Sequence, residues 1–281
     1  MRKYFALAAA MTLISGAAIA ATPVVDGQGI TAANYGGAAL ALQTATTTGF
    51  GPTLQAAELF VTNDGTNLYI GIAGNSGNGG SGFYVFIDAQ AGGSSEAATD
   101  TSGGYGEFDQ FASAGGGNMP TGFTFDRAVV LASLGDGGHL GSWDRIANTA
   151  SYQGGTGAHT GGYDPAIDNS NADALPYVAG GIDTGVEIQI PMTAIGSPVN
   201  STSIKIFAVA GNTSNGGNNA VYLSNMILPS TGDPGNYGRD GVGGGVGNGT
   251  NFDGTGGPNI TAALYSIGDS TSVSDWTMLE D

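Results

Sequence analysis

The stretch Ala57-Glu58-Leu59-Phe60-Val61-Thr62-Asn63-Asp64-Gly65-Thr66-Asn67-Leu68-Tyr69-Ile70-Gly71-Ile72 decides the fold. Successive side chains of a strand point to opposite faces, so apolar residues two apart mark one buried face. Leu59 and Val61 lie on one face and Phe60 on the other. Asn63 to Asn67 supplies turn chemistry, with Gly65 free to take a positive φ. Leu68, Ile70 and Ile72 then resume period two, with Tyr69 opposite. The pattern predicts a β-hairpin.

The same period extends outward on both sides. Phe83, Val85 and Ile87 face one way, Tyr84 and Phe86 the other, and Asp88 ends the run. Two apolar faces predict a central, buried strand. Phe123 to Ala132 reads as a longer strand. Val186, Ile188 and Ile190 alternate with Glu187 and Gln189, and Pro191 opens a short helical turn through Ile195 that Gly196 closes. Ile204, Ile206 and Ala208 oppose Phe207 and Val209. Ala220 to Ile227 and Ile260 to Ile267 are further strands. Upstream, Val24-Val25-Asp26-Gly27 reads as a short edge strand with a turn, and Leu40, Leu42 and Thr44 alternate weakly. No helical period reaches the length of an ordinary helix. The expected class is all-β: an antiparallel β-sandwich, of jelly-roll or immunoglobulin-like layering, with long Gly-rich loops.

Glycine fills 52 of the 281 positions, against a usual share of about 7%. Much of it gathers in three spans, 91–120, 133–176 and 229–258, that lack apolar periodicity and read as long loops. The chain opens with Arg2-Lys3, an apolar stretch from Tyr4 to Ile19 and the A-x-A site Ala18-Ile19-Ala20. These are the parts of a cleaved signal peptide over 1–20, leaving one β-sandwich domain over 21–281. The expected location is secreted, extracellular or on the cell surface, with no membrane insertion after cleavage. Cleavage removes two of the six basic residues and none of the 23 acidic ones. Such a charge repels nucleic-acid phosphates and anionic lipids. It suits neutral ligands and divalent cations. There is no cysteine, hence no disulfide.

The hairpin, the Val-Asp-Gly start, Phe83-Tyr84-Val85-Phe86-Ile87-Asp88 and Val186-Glu187-Ile188-Gln189-Ile190-Pro191 together resemble the carbohydrate-binding module family 9-like and DOMON-like β-sandwiches. Phe86-Ile87-Asp88-Ala89-Gln90-Ala91-Gly92-Gly93 is also similar to a segment of a group of exported bacterial proteins. The resemblance implies a β-sandwich and a binding role. Sugar-binding members hold their ligand between aromatic rings, often Trp. This chain has Trp143 and Trp276, neither on a matched strand. Some DOMON-like domains hold haem between Met and His, for which Met119, Met192, Met226, His139 and His159 are the available residues.

No nucleophile elbow, Walker motif or H-E-x-x-H motif is present, and the expectation is a protein without catalytic activity. A glycoside hydrolase using a carboxylate pair such as Glu107 and Asp109 is the minor alternative. The ligand-binding candidates are the aromatics of the long spans: Tyr105, Phe108, Trp143, Tyr152 and Tyr163. Rings there stack on sugar faces or anchor the loops to the sandwich. The metal candidates are Asp88, Asp100, Glu107 and Asp109, oxygen donors suited to calcium, set against the reading of solvated loop acids. The leading expectation is a binding module for a glycan or cell-surface component, stabilised by calcium. A self-associating structural protein of the cell surface is the alternative.

Overall fold

The computed structural model describes residues 22–44, 54–77, 81–95, 118–132, 138–155, 158–171, 181–198, 202–212, 222–230 and 260–267. In chain order these form β1 (Ala41–Leu42), β2 (Leu54–Asn63), β3 (Asn67–Ser76), β4 (Ser81–Asp88), β5 (Arg127–Ala132), β6 (His139–Asp144) and β7 (Thr149–Gly155). They continue with β8 (Ala158–His159), β9 (Asp164–Ile167), β10 (Gly185–Pro191), β11 (Thr202–Asn212), β12 (Tyr222–Leu228) and β13 (Ala263–Ile267). A single 3-10 turn, Met192–Ile195, follows β10 and closes on Gly196 at φ 78°.

Two antiparallel sheets pack together as an all-β sandwich. One has the order β1-β2-β3-β10-β9; the other runs β12-β11-β4-β5-β6-β7-β8, with β13 also on β11. Residues Ala208–Asn212 of β11 pair with β12, and Thr202–Ile206 pair with β13. Two strands thus take successive halves of one side of β11.

The alternation read from sequence sorts side chains into three apolar layers. Leu59, Val61, Leu68, Ile70, Ile72, Phe83, Val85, Ile87, Val186, Ile188, Ile190, Ile204 and Ile206 fill the space between the sheets. Tyr84, Phe86, Phe207 and Val209 point to the outer face of the larger sheet. Phe60 and Tyr69 point to the outer face of the smaller one, beneath Ile30, Tyr35 and Ile182. β4 lies between β11 and β5, and both its faces are buried as its sequence predicts. Each such buried aromatic or aliphatic side chain contributes about 1.5–3 kcal/mol.

Three expectations differ from the structure. The strand expected over Phe123 to Ala132 begins only at Arg127. Phe123 and Phe125 instead lie across the larger sheet, their ring centroids 5.1 Å from Phe207 and 5.3 Å from Phe86 respectively. Their alternation records packing onto a sheet face, not pairing within it. The span 133–176, expected as a loop, holds β6, β7, β8 and β9. Its strands are built largely from Gly, Ala, Ser, Thr and His, which pair through backbone and carry little hydrophobic signal. The segment Val24 to Gly27 is no strand; it runs to a lone bridge between Gln28 and Thr184.

Both lateral openings of the sandwich are tied. On one side Gln43 Nε2 donates to the Ile227 carbonyl at 3.1 Å, the Ser230 hydroxyl bonds Gln43 Oε1, and Thr44 Oγ1 lies 3.0 Å from Ser230 Oγ. On the other, the chain crosses from β8 to β9. There His159 Nδ1 lies 3.3 Å from Asp164 Oδ1, and Tyr163 is buried between the sheets.

Candidate functional site

The aromatic candidates separate into core and surface. Trp143 lies on β6, fully buried. Its ring is T-shaped on Phe125 at 5.3 Å, and the Arg145 guanidinium lies 5.4 Å from its centroid. No face is left for a ligand, which corrects its assignment as a loop-borne stacking residue. Tyr163 is likewise buried, in the layer between the sheets. Tyr105 and Phe108 lie outside the described residues. Tyr152, on β7, is 51% exposed.

Tyr152 does not stand alone. Its ring centroid is 5.4 Å from that of His139 on β6. Residues directly opposite on paired strands share a face. Gly141 is opposite Tyr152, and Gly155 is opposite His139. The register shift between Leu140 and Gly141 sets these partners. Glycine has no side chain, so the two rings project over bare backbone. A tyrosine ring offers an apolar face for the C–H groups of a sugar.

The acidic candidates also separate. Asp88 ends β4, where its Oδ2 accepts from the Thr124 amide at 3.2 Å and from Lys205 Nζ at 3.4 Å. Asp100, Glu107 and Asp109 lie outside the described residues. Among the described residues no three His, Cys, Asp or Glu side chains gather to hold a metal ion. The carboxylate that neighbours Asp88 is Asp126, which sequence reasoning missed. Asp126 Oδ2 accepts the Ala89 and Gln90 amides at 2.6 and 2.7 Å, so it pins the turn leaving β4.

A second buried carboxylate was legible only as the polar member of an alternating strand. Glu187 on β10 is 1% exposed. Its Oε2 accepts the Asp26 and Gly27 amides, each at 2.9 Å, and its Oε1 accepts the Tyr35 hydroxyl at 2.9 Å. Burial pushes the Glu187 carboxyl above its usual value, although these three donors pull it down. Burial likewise carries the Tyr35 hydroxyl well above its ordinary range. The Val-Asp-Gly start and the Glu of Val186-Glu187-Ile188 are therefore two halves of one lock. A cleft of about 350 Å³ lies beside it, lined by Pro23, Val24, Asp26, Asn34 and Glu187.

Gly71 makes the lock possible. A Cβ there would sit 2.6 Å from Tyr35 Cζ and 2.8 Å from Ile30 Cγ2. Gly71→Ala should push Tyr35 off Glu187 and cost about 2–3 kcal/mol, the range for overpacking a filled core. Urea unfolding measures it; a midpoint equal to wild type would mean the tyrosine is not held there.

No protein-family model matches this chain, and no curated protein matches it.

Proposed function

We propose that this chain is a secreted, non-catalytic binding module for a glycan or a carbohydrate-bearing cell-surface component. The Tyr152–His139 pair carries this reading: a half-exposed ring against an imidazole, projecting over glycine. The leader-like start and the strongly acidic composition support a location where neutral glycans are met. The carbohydrate-binding module resemblance points the same way. The buried carboxylates Glu187 and Asp126 accept backbone amides, which suits structural work more than acid–base chemistry. Calcium, if it contributes, would meet Asp88 among the described acids.

Assembly through open strand edges draws less support. Exposed edges recruit other strands when they are long and flat. Here β1 and β8 have two residues each, and β9 has four, one of them Pro165; the longest edge, β12, has seven, and its Ile227 carbonyl is taken by Gln43.

A glycan array run with and without calcium, followed by calorimetry on the hits, tests the reading. Tyr152→Ala should weaken binding at least about tenfold, near 1.4 kcal/mol. Its thermal midpoint should stay at the wild-type value, because the ring is on the surface. Silence across acidic, neutral and amino sugars would overturn the proposal. So would an alanine variant that binds as well as wild type.

A further inference from the structure

The end of β4 holds a buried carboxylate that is only half used. Asp126 is fully buried, yet its Oδ1 is enclosed with no hydrogen-bond partner among the described residues. Its backbone is fixed as well: its amide donates to the Ile87 carbonyl, and its carbonyl accepts from the Arg145 amide, both at 2.9 Å. Asp126 thus joins three elements: the exit of β4, the segment entering β5 and the exit of β6.

The charges around it do not fill the vacant oxygen. Asp88, from β4, is a like charge, itself answered by Lys205 of β11. Arg127, next in the chain, sends its guanidinium to Asp144 Oδ2 at 2.9 Å and to the Ala194 carbonyl at 2.8 Å. Arg145 directs its guanidinium to Asn148 Oδ1 and Ser94 Oγ. Burying a polar oxygen without a partner is costly, and more so when it shares a negative charge. A proton removes the charge, and with it the larger of the two penalties. It fits an enclosed space where an ion with its own oxygen shell does not.

We propose that Asp126 is a proton-operated latch: protonation at Oδ1 fastens the turn Asp88–Ser95 to the Phe123–Asp126 segment, and deprotonation loosens them. The turn is tightly seated. Ser94 donates its amide to the Phe125 carbonyl at 3.0 Å, and Met119 donates to Ser95 at 2.7 Å. A Cβ at Gly93 would meet the Phe125 carbonyl carbon at 2.6 Å, so the approach requires glycine. Loosening would therefore reach every contact the turn makes.

The sign follows from where the proton binds. Burial, with the Asp88 charge adding to it, lifts the Asp126 carboxyl to about 6, against an ordinary value of 3.8, although the Ala89 and Gln90 amides and Arg127 pull it down. The folded state holds the proton more tightly than the opened state. The latch is fully fastened below about pH 4 and released as pH rises through about 6. Each pH unit of difference is tenfold, so the opening equilibrium should shift by roughly a hundredfold across that window.

Hydrogen exchange at the Ala89, Gln90 and Ser94 amides, corrected for intrinsic rates, should show the larger part of this shift, roughly 25-fold, between pH 4.5 and 7.5 in the full chain. Asp126→Asn keeps the shape and cannot titrate. Its exchange should be flat with pH, and its protection at pH 7.5 should equal or exceed wild type. Asp88→Asn, which removes the like charge, should lower the midpoint without abolishing it. A carboxyl carbon titration of the wild type reads the same midpoint without any mutation. A midpoint below 4, or a wild-type pH dependence retained in Asp126→Asn, would overturn the latch. So would calcium at pH 7.5 protecting the wild type but not Asp126→Asn, because a cation would then be the occupant.

Discussion

Glu187→Ala unfolds at a lower urea concentration, with about 3–4 kcal/mol lost, and frees the segment from Thr22 to Tyr35 to protease. Three buried or half-buried donors share this carboxylate: the Asp26 and Gly27 amides and the Tyr35 hydroxyl. A hydrogen bond to a charged group contributes about 1.5–3 kcal/mol, and an orphaned buried donor costs a similar amount. Against this stands the cost of burying the carboxylate, which its raised titration range records. The raised value means that burial outweighs the donors for the ionised form, so the loss in Glu187→Ala comes from leaving three donors without their acceptor. The segment they hold covers the outer face of β3 and β10, where Ile30 and Tyr35 close a layer with Phe60, Tyr69 and Ile182. Losing the clamp therefore also exposes apolar surface. Glu187→Gln keeps one acceptor oxygen but turns an NH2 toward a donor, and should lose about half as much. A loss below about 1 kcal/mol for Glu187→Ala, or a segment still resistant to protease, would show that apolar packing alone holds it.

How far the sequence spoke depends on what each strand is made of. β4 and β11 were legible on both faces because Phe, Tyr, Val and Ile carry the alternation, and the two faces fill two separate layers. The hairpin of β2 and β3 was legible at its turn as well. Asp64 Oδ1 accepts the Thr66 and Asn67 amides at 2.8 and 2.7 Å, the local bonding that an Asp-Gly turn predicts. β6 to β9 were not legible. Small residues take many of the paired positions, as in Gly141 opposite Tyr152 and Gly154 opposite His159. Asp88 stood out as the acid at a strand end. Asp126 did not, because its role is to cap amides 36 and 37 residues earlier in the chain. Glu187 looked like the solvent face of an alternating strand until the N-terminal segment was laid over it. Side chains that act on distant backbone leave no local pattern to read.

Trp143→Ala should cost about 4 kcal/mol, within the usual range for removing a buried tryptophan. The surroundings explain the size. In register, Ala128 of β5 and Ala150 of β7 flank Trp143 on either side. Two small neighbours make room for one indole, and neither can grow to fill the space it leaves. Phe125 rests edge-on against the ring and Arg145 lies over it, so both lose their support together. Trp143→Phe should lose less, about 1–2 kcal/mol, because an aromatic face remains against Phe125. The comparison with Tyr152 decides between core and binding surface. Tyr152→Ala should fold like wild type and lose ligand, whereas Trp143→Phe should lose stability and keep ligand affinity. Fluorescence supplies an independent check, since Trp143 and Trp276 are the chain's two tryptophans. Trp276→Phe leaves Trp143 as the sole emitter, and its emission should be blue-shifted and resist acrylamide. A red, readily quenched signal from that variant, or a well-folded Trp143→Ala that has lost only its ligand, would return the indole to the surface and the larger sheet to the role of a binding face.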